Sequence, residues 1–124
     1  MMSKSLKDIY LMQRDNQQLM IANGMYDGVE CINHTDVVPI DNVRLCSYHI
    51  QHLISEIGEV LEADKRWKNF RNKKYDKSSK TEEIADCFIV LMNIAMYSGI
   101  NEEMLENILV EKINKNRERI ASEI

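Results

Sequence analysis

Apolar residues recur along the chain at three- and four-residue intervals in four blocks, separated by polar or glycine-containing breaks. In the first block Leu6, Ile9, Tyr10, Leu19 and Met20 predict a helix from Ser3 to about Ala22, stopped by Asn23-Gly24. From Gly24 to Asp41 no period is sustained. Gly28 and Pro39 make this stretch a long connection with room for a short extended piece. The second block, Val43, Cys46, Ile50, Leu53, Ile57, Val60 and Leu61, carries the strongest amphipathic pattern, with Asp41 as its expected N-cap and an end near Asp64. A basic run, KRWKNFRNKKYDKSS, then breaks the pattern around Trp67, Phe70 and Tyr75 and reads as an exposed connector. Ser79 with Glu82 three residues later resembles a capping box for a third helix, which runs to Ser98 and stops at Gly99. Asn101 caps a fourth, whose early glutamates suit the positive end of the helix dipole. No internal repeat interrupts this order. The expected fold is all-α, one four-helix domain over residues 1–124.

The third helix is apolar on nearly every side between Ile84 and Tyr97, which predicts a place at the centre of a bundle. Its exceptions align. At the helical angle, Glu83, Asp86 and Asn93 fall within roughly 80° of one another and form one polar stripe. Two carboxylates on a buried stripe repel unless a cation lies between them. The second helix offers a matching pair, Glu56 and Glu59, three apart on one face with His52 one turn before. Four carboxylates converging from antiparallel helices make a hard oxygen site suited to Mg²⁺, or to Mn²⁺ as the alternative ion. A di-iron site would call for Glu-x-x-His, and no histidine lies three residues after a glutamate. On the fourth helix, Leu105, Ile108 and Leu109 define an apolar face that Lys112, Asn116 and Arg119 continue. These three are expected to point inward, where they can neutralise a polyphosphate held by the metal.

Taken singly, each carboxylate pair is an ordinary solvated helix face. Taken together, the alignment along three successive helices favours a site. His49 and His52 read as partly buried histidines rather than ligands, and Trp67 either seals the bundle end or stacks on a base. Composition narrows the partners. The formal charge of −4 argues against a broad nucleic-acid surface, though a small anion needs only a local basic spot. Cys31, Cys46 and Cys87 form no CxxC pair and are expected to be reduced, buried thiols in a cytoplasmic protein. No stretch approaches the ~18 apolar residues of a membrane span, and the N-terminal residues lack a signal peptide's apolar run.

Glu56-Ile-Gly-Glu59 followed by Glu83-Ile-Ala-Asp86 resembles the paired ExxE and ExxD motifs of the all-α NTP pyrophosphatases, which comprise MazG-like proteins, dCTP pyrophosphatases and dimeric dUTPases. EIGEVLEADKRWK is similar to the dCTP pyrophosphatase segment with one extra residue before the tryptophan, and EEIADCFIVLMNIA is similar to MazG, including Asn93. Lys112 and Asn116 match the family's K-x-x-x-N ending. The resemblance spans about residues 43 to 119, with Ser55 standing where relatives often carry another glutamate. It implies a MazG-like bundle completed by dimerisation, in a homodimer or homotetramer. It also implies Mg²⁺-dependent hydrolysis of a (d)NTP to (d)NMP and pyrophosphate, in sanitation or control of the nucleotide pool.

On that basis Glu56, Glu59, Glu83 and Asp86 are expected to hold the metal, and Lys112, Asn116 and Arg119 to clamp phosphate oxygens. Trp67 and Lys68 are expected to contact the nucleotide, and Asn93 its base or ribose. The competing expectation is a non-catalytic helical adaptor that dimerises through the third helix and binds no metal.

Overall fold

Helix boundaries follow from side chains that satisfy the first free backbone amides. In a computed structural model of the chain, which describes residues 3–26, 32–66 and 76–124, four helices are present: α1 (Leu6–Ala22), α2 (Val43–Asp64), α3 (Lys77–Met96) and α4 (Glu102–Glu123). Ser5 caps α1 in a reciprocal capping box with Asp8. Asn101 caps α4 as the sequence predicts, its Oδ1 accepting from the Met104 amide at 2.9 Å.

The two middle helices begin elsewhere than expected. α2 is capped by Asn42, not Asp41, because Asp41 pairs with Ser98 in an isolated antiparallel bridge. α3 starts one turn early, since Asp76 accepts from the Ser79 amide at 3.2 Å and leaves Ser79 inside the first turn. No strand forms among the described residues; the bridge at Asp41 is the whole of the short extended piece.

The core gathers at one end. Tyr10, Ile21, Tyr26, Val38, Leu45, Met92, Ala95, Met96 and Tyr97 form a single buried cluster where α1, the start of α2 and the end of α3 meet. The segment before α2 is tied into it, with the Ile40 and Asn42 amides donating to the Met96 and Tyr97 carbonyls, each at 2.9 Å. Gly99 ends α3 at φ +73°, a left-handed position that lets the Ile100 amide return to the Ala95 carbonyl. Away from this core, α2 and α3 pack along each other as an antiparallel hairpin, while α4 packs chiefly on α1.

α3 is therefore not the central rod that its composition predicts. Its second half is largely buried, but Ile84, Phe88 and Leu91 are exposed, because among the described residues no third helix covers the outer part of the hairpin. Helix α4 has no buried residue at all. Cys46 and Cys87 are free and half-buried, and among the described residues no helix is long and apolar enough to cross a membrane.

Candidate functional site

Glu56 and Glu59 sit on adjacent turns of α2, and Glu83 lies opposite on α3. The hairpin brings them together: one carboxylate oxygen from each lies within 4.8 Å of the other two. Glu56 and Glu83 are half-buried and Glu59 is exposed. One oxygen of Glu83, Oε2, is shielded from solvent and has no hydrogen-bond partner among the described residues. Burial, then the like charges of Glu59 and Asp86, a side-chain hydrogen bond with Glu59 and the charge of Glu56 push the Glu83 carboxyl above its ordinary value. Asp86 is exposed and stands outside the triad, yet its charge bears on Glu83. Burial, and then the charges of Glu56, Asp86 and Glu83, raise the neighbouring Cys87 thiol.

A carboxylate with one shielded oxygen left unpaired among like charges is a poor structural element and a good half of a cation site. The donor set is three hard anionic oxygens with solvent on one side, which suits a divalent ion that keeps part of its water shell. An open cleft of about 400 Å³ adjoins it, lined by Glu59, Glu62, Ala63, Lys65, Ser79 and Glu83. Lys65 ends α2 at φ 58°, an uncommon conformation for a side chain with a Cβ, and stands at this cleft beside the acids.

Two supporting contacts were not legible as functional. His52 Nε2 lies 2.9 Å from Glu56 Oε1, one helical turn away, so the imidazole fixes one oxygen of a triad member. The i,i+4 spacing was the available signal for it. At the hairpin's outer end Asp64 binds Lys80 Nζ at 2.6 Å and Arg66 Nε at 2.6 Å, holding its carboxyl well below the ordinary range and clasping α2 to α3 beside the cleft.

The remaining expected site residues are not all gathered here. Asn93 is buried at the core end of the same stripe, and its Oδ1 accepts from Gln13 Nε2 at 3.0 Å. Gln13 in turn borders a cleft of about 340 Å³ between α1 and α3, with Ile9, Met12, Asn16, Ile89 and Met92. Lys112, Asn116 and Arg119 do not point inward within the chain. They are exposed on α4, which does not run along α2 or α3, and Arg119 Nη2 donates to Asn116 Oδ1 at 2.9 Å. Trp67 and Lys68 lie outside the described residues, as does Cys31.

A comparison of the chain with protein-family models, with curated proteins and with solved structures gives no match.

Proposed function

We propose that this protein is a Mg²⁺-dependent nucleoside triphosphate pyrophosphohydrolase of the MazG-like kind, active as a homo-oligomer. The observation that carries the proposal is the convergence of Glu56, Glu59 and Glu83 around a buried, unpaired carboxylate oxygen. Residues with no role beyond solubility would separate their charges; these are held together by the α2–α3 packing.

In this reading the three glutamates hold the ion from one side, with Asp86 at the edge of its field. The bound metal would supply charge neutralisation for phosphate oxygens and a lowered pKa for the attacking water. Lys65 stands where it can meet a phosphate in the cleft. The apolar cleft bordered by Gln13, Asn16 and Ile89 suits a nucleobase, with Asn93 acting through its hydrogen bond to Gln13. Ile89 follows Glu83 by six residues, roughly 9 Å along α3 and about 120° around it, so this cleft and the acidic one lie on different sides of the helix. A second copy of the chain would cover the apolar residues left exposed on α2, α3 and α4.

The test is pyrophosphate release from a panel of canonical and modified dNTPs, with Mg²⁺ and with chelator. Metal-dependent release of equimolar dNMP and pyrophosphate is expected for at least one substrate. Absence of turnover, together with no Mg²⁺-dependent rise in melting temperature, would leave the non-catalytic adaptor as the better description.

A further inference from the structure

A helical hairpin has two flanks, and rotation about each helix decides which residues stand on which. Glu56 on α2 and Glu83 on α3 meet across the hairpin, so each marks the inward direction of its helix. At the helical angle, Glu59 stands about 60° from Glu56 and Asp86 about 60° from Glu83, both in the same sense of rotation. Because the helices are antiparallel, equal turns of one sense lead to one flank, so these acids share a side of the hairpin. Asn93 turns the same way, and α1 meets this side through the Gln13–Asn93 hydrogen bond.

The opposite turn leads to an apolar flank. On α2, Val43, Ile50, Ile54, Ile57 and Leu61 lie about 100–160° from Glu56, and no charged residue interrupts the strip between Val43 and Leu61. On α3, Ile84, Phe88 and Leu91 lie about 80–140° from Glu83 in the matching sense, which sets them beside that strip. All eight side chains belong to residues between 39 % and 78 % exposed. Together they present roughly 800 Å² of accessible surface, more than the largest apolar patch of a typical monomer. The Asp64–Lys80 ion pair at 2.6 Å stands at the outer rim of the same flank. Among the described residues no helix lies over this surface, since α1 is on the other flank and α4 packs chiefly on α1.

Its area and its symmetry identify the occupant. Two such flanks laid face to face would bury roughly 1,600 Å², the size of a standard specific interface, with an apolar centre and a charged rim. The α2 strip is also self-complementary. With Ser47 included, its positions 43, 47, 50, 54, 57 and 61 alternate by four and three residues and read the same from either end. A two-fold axis between Ile50 and Ile54 therefore maps the strip onto itself, Val43 against Leu61 and Ile50 against Ile54. We infer that this flank is the interface between two copies of the chain, α2 packing antiparallel on α2 with Phe88 and Leu91 closing its side, and the acidic flank turned outward. The inference rests on the homo-oligomer of the proposed reading and gives it a surface; metal binding and turnover play no part in it.

Two measurements on the purified full chain test it. With a photo-crosslinking phenylalanine analogue in place of Ile54, irradiation should give a covalent dimer whose mapped peptides fall in 43–61 or 84–91. Cross-links from that position into α1 or α4 of the partner would overturn this interface while leaving the homo-oligomer standing. A monomer by light scattering at low micromolar concentration would overturn both. In the second measurement, Ile54→Glu combined with Phe88→Glu should weaken self-association by at least on the order of 100-fold, because four carboxylates would be buried together in the pair. Both positions are exposed within the chain, so helix content by circular dichroism should be retained, and Leu19→Glu, equally exposed on α1, should leave association unchanged. Wild-type association in the double variant would overturn the inference. If that variant does not fold, the cross-link from position 54 still decides the contact.

Discussion

Two polar constellations sit at different levels of the α2–α3 hairpin, about two turns apart on α2 and four on α3, the inner one joined by Gln17 of α1 and Tyr26. At the core end, Tyr26 and Tyr97 both donate to Gln17 Oε1, and the His49 ring stacks on Tyr97 at 5.3 Å with 4° between the planes. Gln17, His49 and Tyr97 are at most 3 % exposed. Both tyrosine hydroxyls there meet an acceptor, and the cluster's one shielded atom without a partner among the described residues is His49 Nδ1, a neutral-ring nitrogen set among aromatic rings. At the outer end, Glu56, Glu59 and Glu83 bring acceptors only, and one buried oxygen has no partner among the described residues. What sets the outer end apart is that its orphan atom belongs to one of three converging carboxylates, whose mutual repulsion a cation can relieve, whereas the core end brings no like charges together.

The sharpest way to break this contrast is Glu83→Gln. Metal-dependent turnover should fall by at least on the order of 100-fold, because an amide supplies no second charge to the ion. The same change should raise the melting temperature without divalent ion, since it removes a half-buried charge from among like charges. A variant that melts lower than wild type and stays active would place Glu83 with the structural residues.

The mirror experiment is Gln17→Leu at the closed end. Two buried hydroxyls lose their acceptor, which should cost about 2–4 kcal/mol in urea unfolding, while turnover per folded molecule is retained. Loss of activity at unchanged stability would show that the core network extends into the site.

The fold was legible where periodicity and capping residues coincide. All four helices were legible as elements because apolar spacing sets the packing face, and the start of α4 and the Gly99 stop were legible from single residues. The starts of α2 and α3 were not, since Asp41 and Ser79 compete with neighbouring Asn42 and Asp76, and the bridge to Ser98 that occupies Asp41 is a long-range contact. At the site, Glu56, Glu59 and Glu83 were legible as a convergent set because three- and four-residue spacings fix which side chains share a face. The inward face of α4 was not. Helical phase gives the side on which Lys112 lies but not whether a helix folds back on its own chain. Lys65 and Gln13 carried no spacing signal, since each depends on where a helix end or a neighbouring helix falls.

Acid should separate the two ends further. Burial, and then the nearby charge of His52, depresses the His49 imidazole to about 4, with Tyr26, Tyr48 and Tyr97 filling the rest of its surroundings. A folded-state value below the unfolded one means that His49 contributes stability fully above its ordinary value of 6.5 and loses it as pH falls toward 4. The loss across that window is on the order of 3 kcal/mol. Glu83 works in the opposite direction, because its raised carboxyl takes up a proton more readily when folded. His49→Phe keeps the stack on Tyr97 and removes the titrating group, so its melting temperature should change less than that of wild type between pH 7 and pH 5. An equal change in both proteins would assign acid lability to groups other than His49.

The smallest effect is expected at the residue that joins the two ends. His52 touches Glu56 through Nε2 at 2.9 Å, while its ring lies 6.3 Å from that of His49. Its shielded Nδ1 has no partner among the described residues, so the Glu56 contact is the imidazole's polar bond and aims the carboxylate. A leucine there should free the Glu56 rotamer and weaken Mn²⁺ binding by about 10-fold, which is near 1.4 kcal/mol, with little change in melting temperature. A glutamine retains a donor at the right reach and should recover most of that affinity. Titration calorimetry of the two variants therefore distinguishes positioning from packing: equal losses in both would mean that only the shape of the ring matters, and no loss in either would detach His52 from the site.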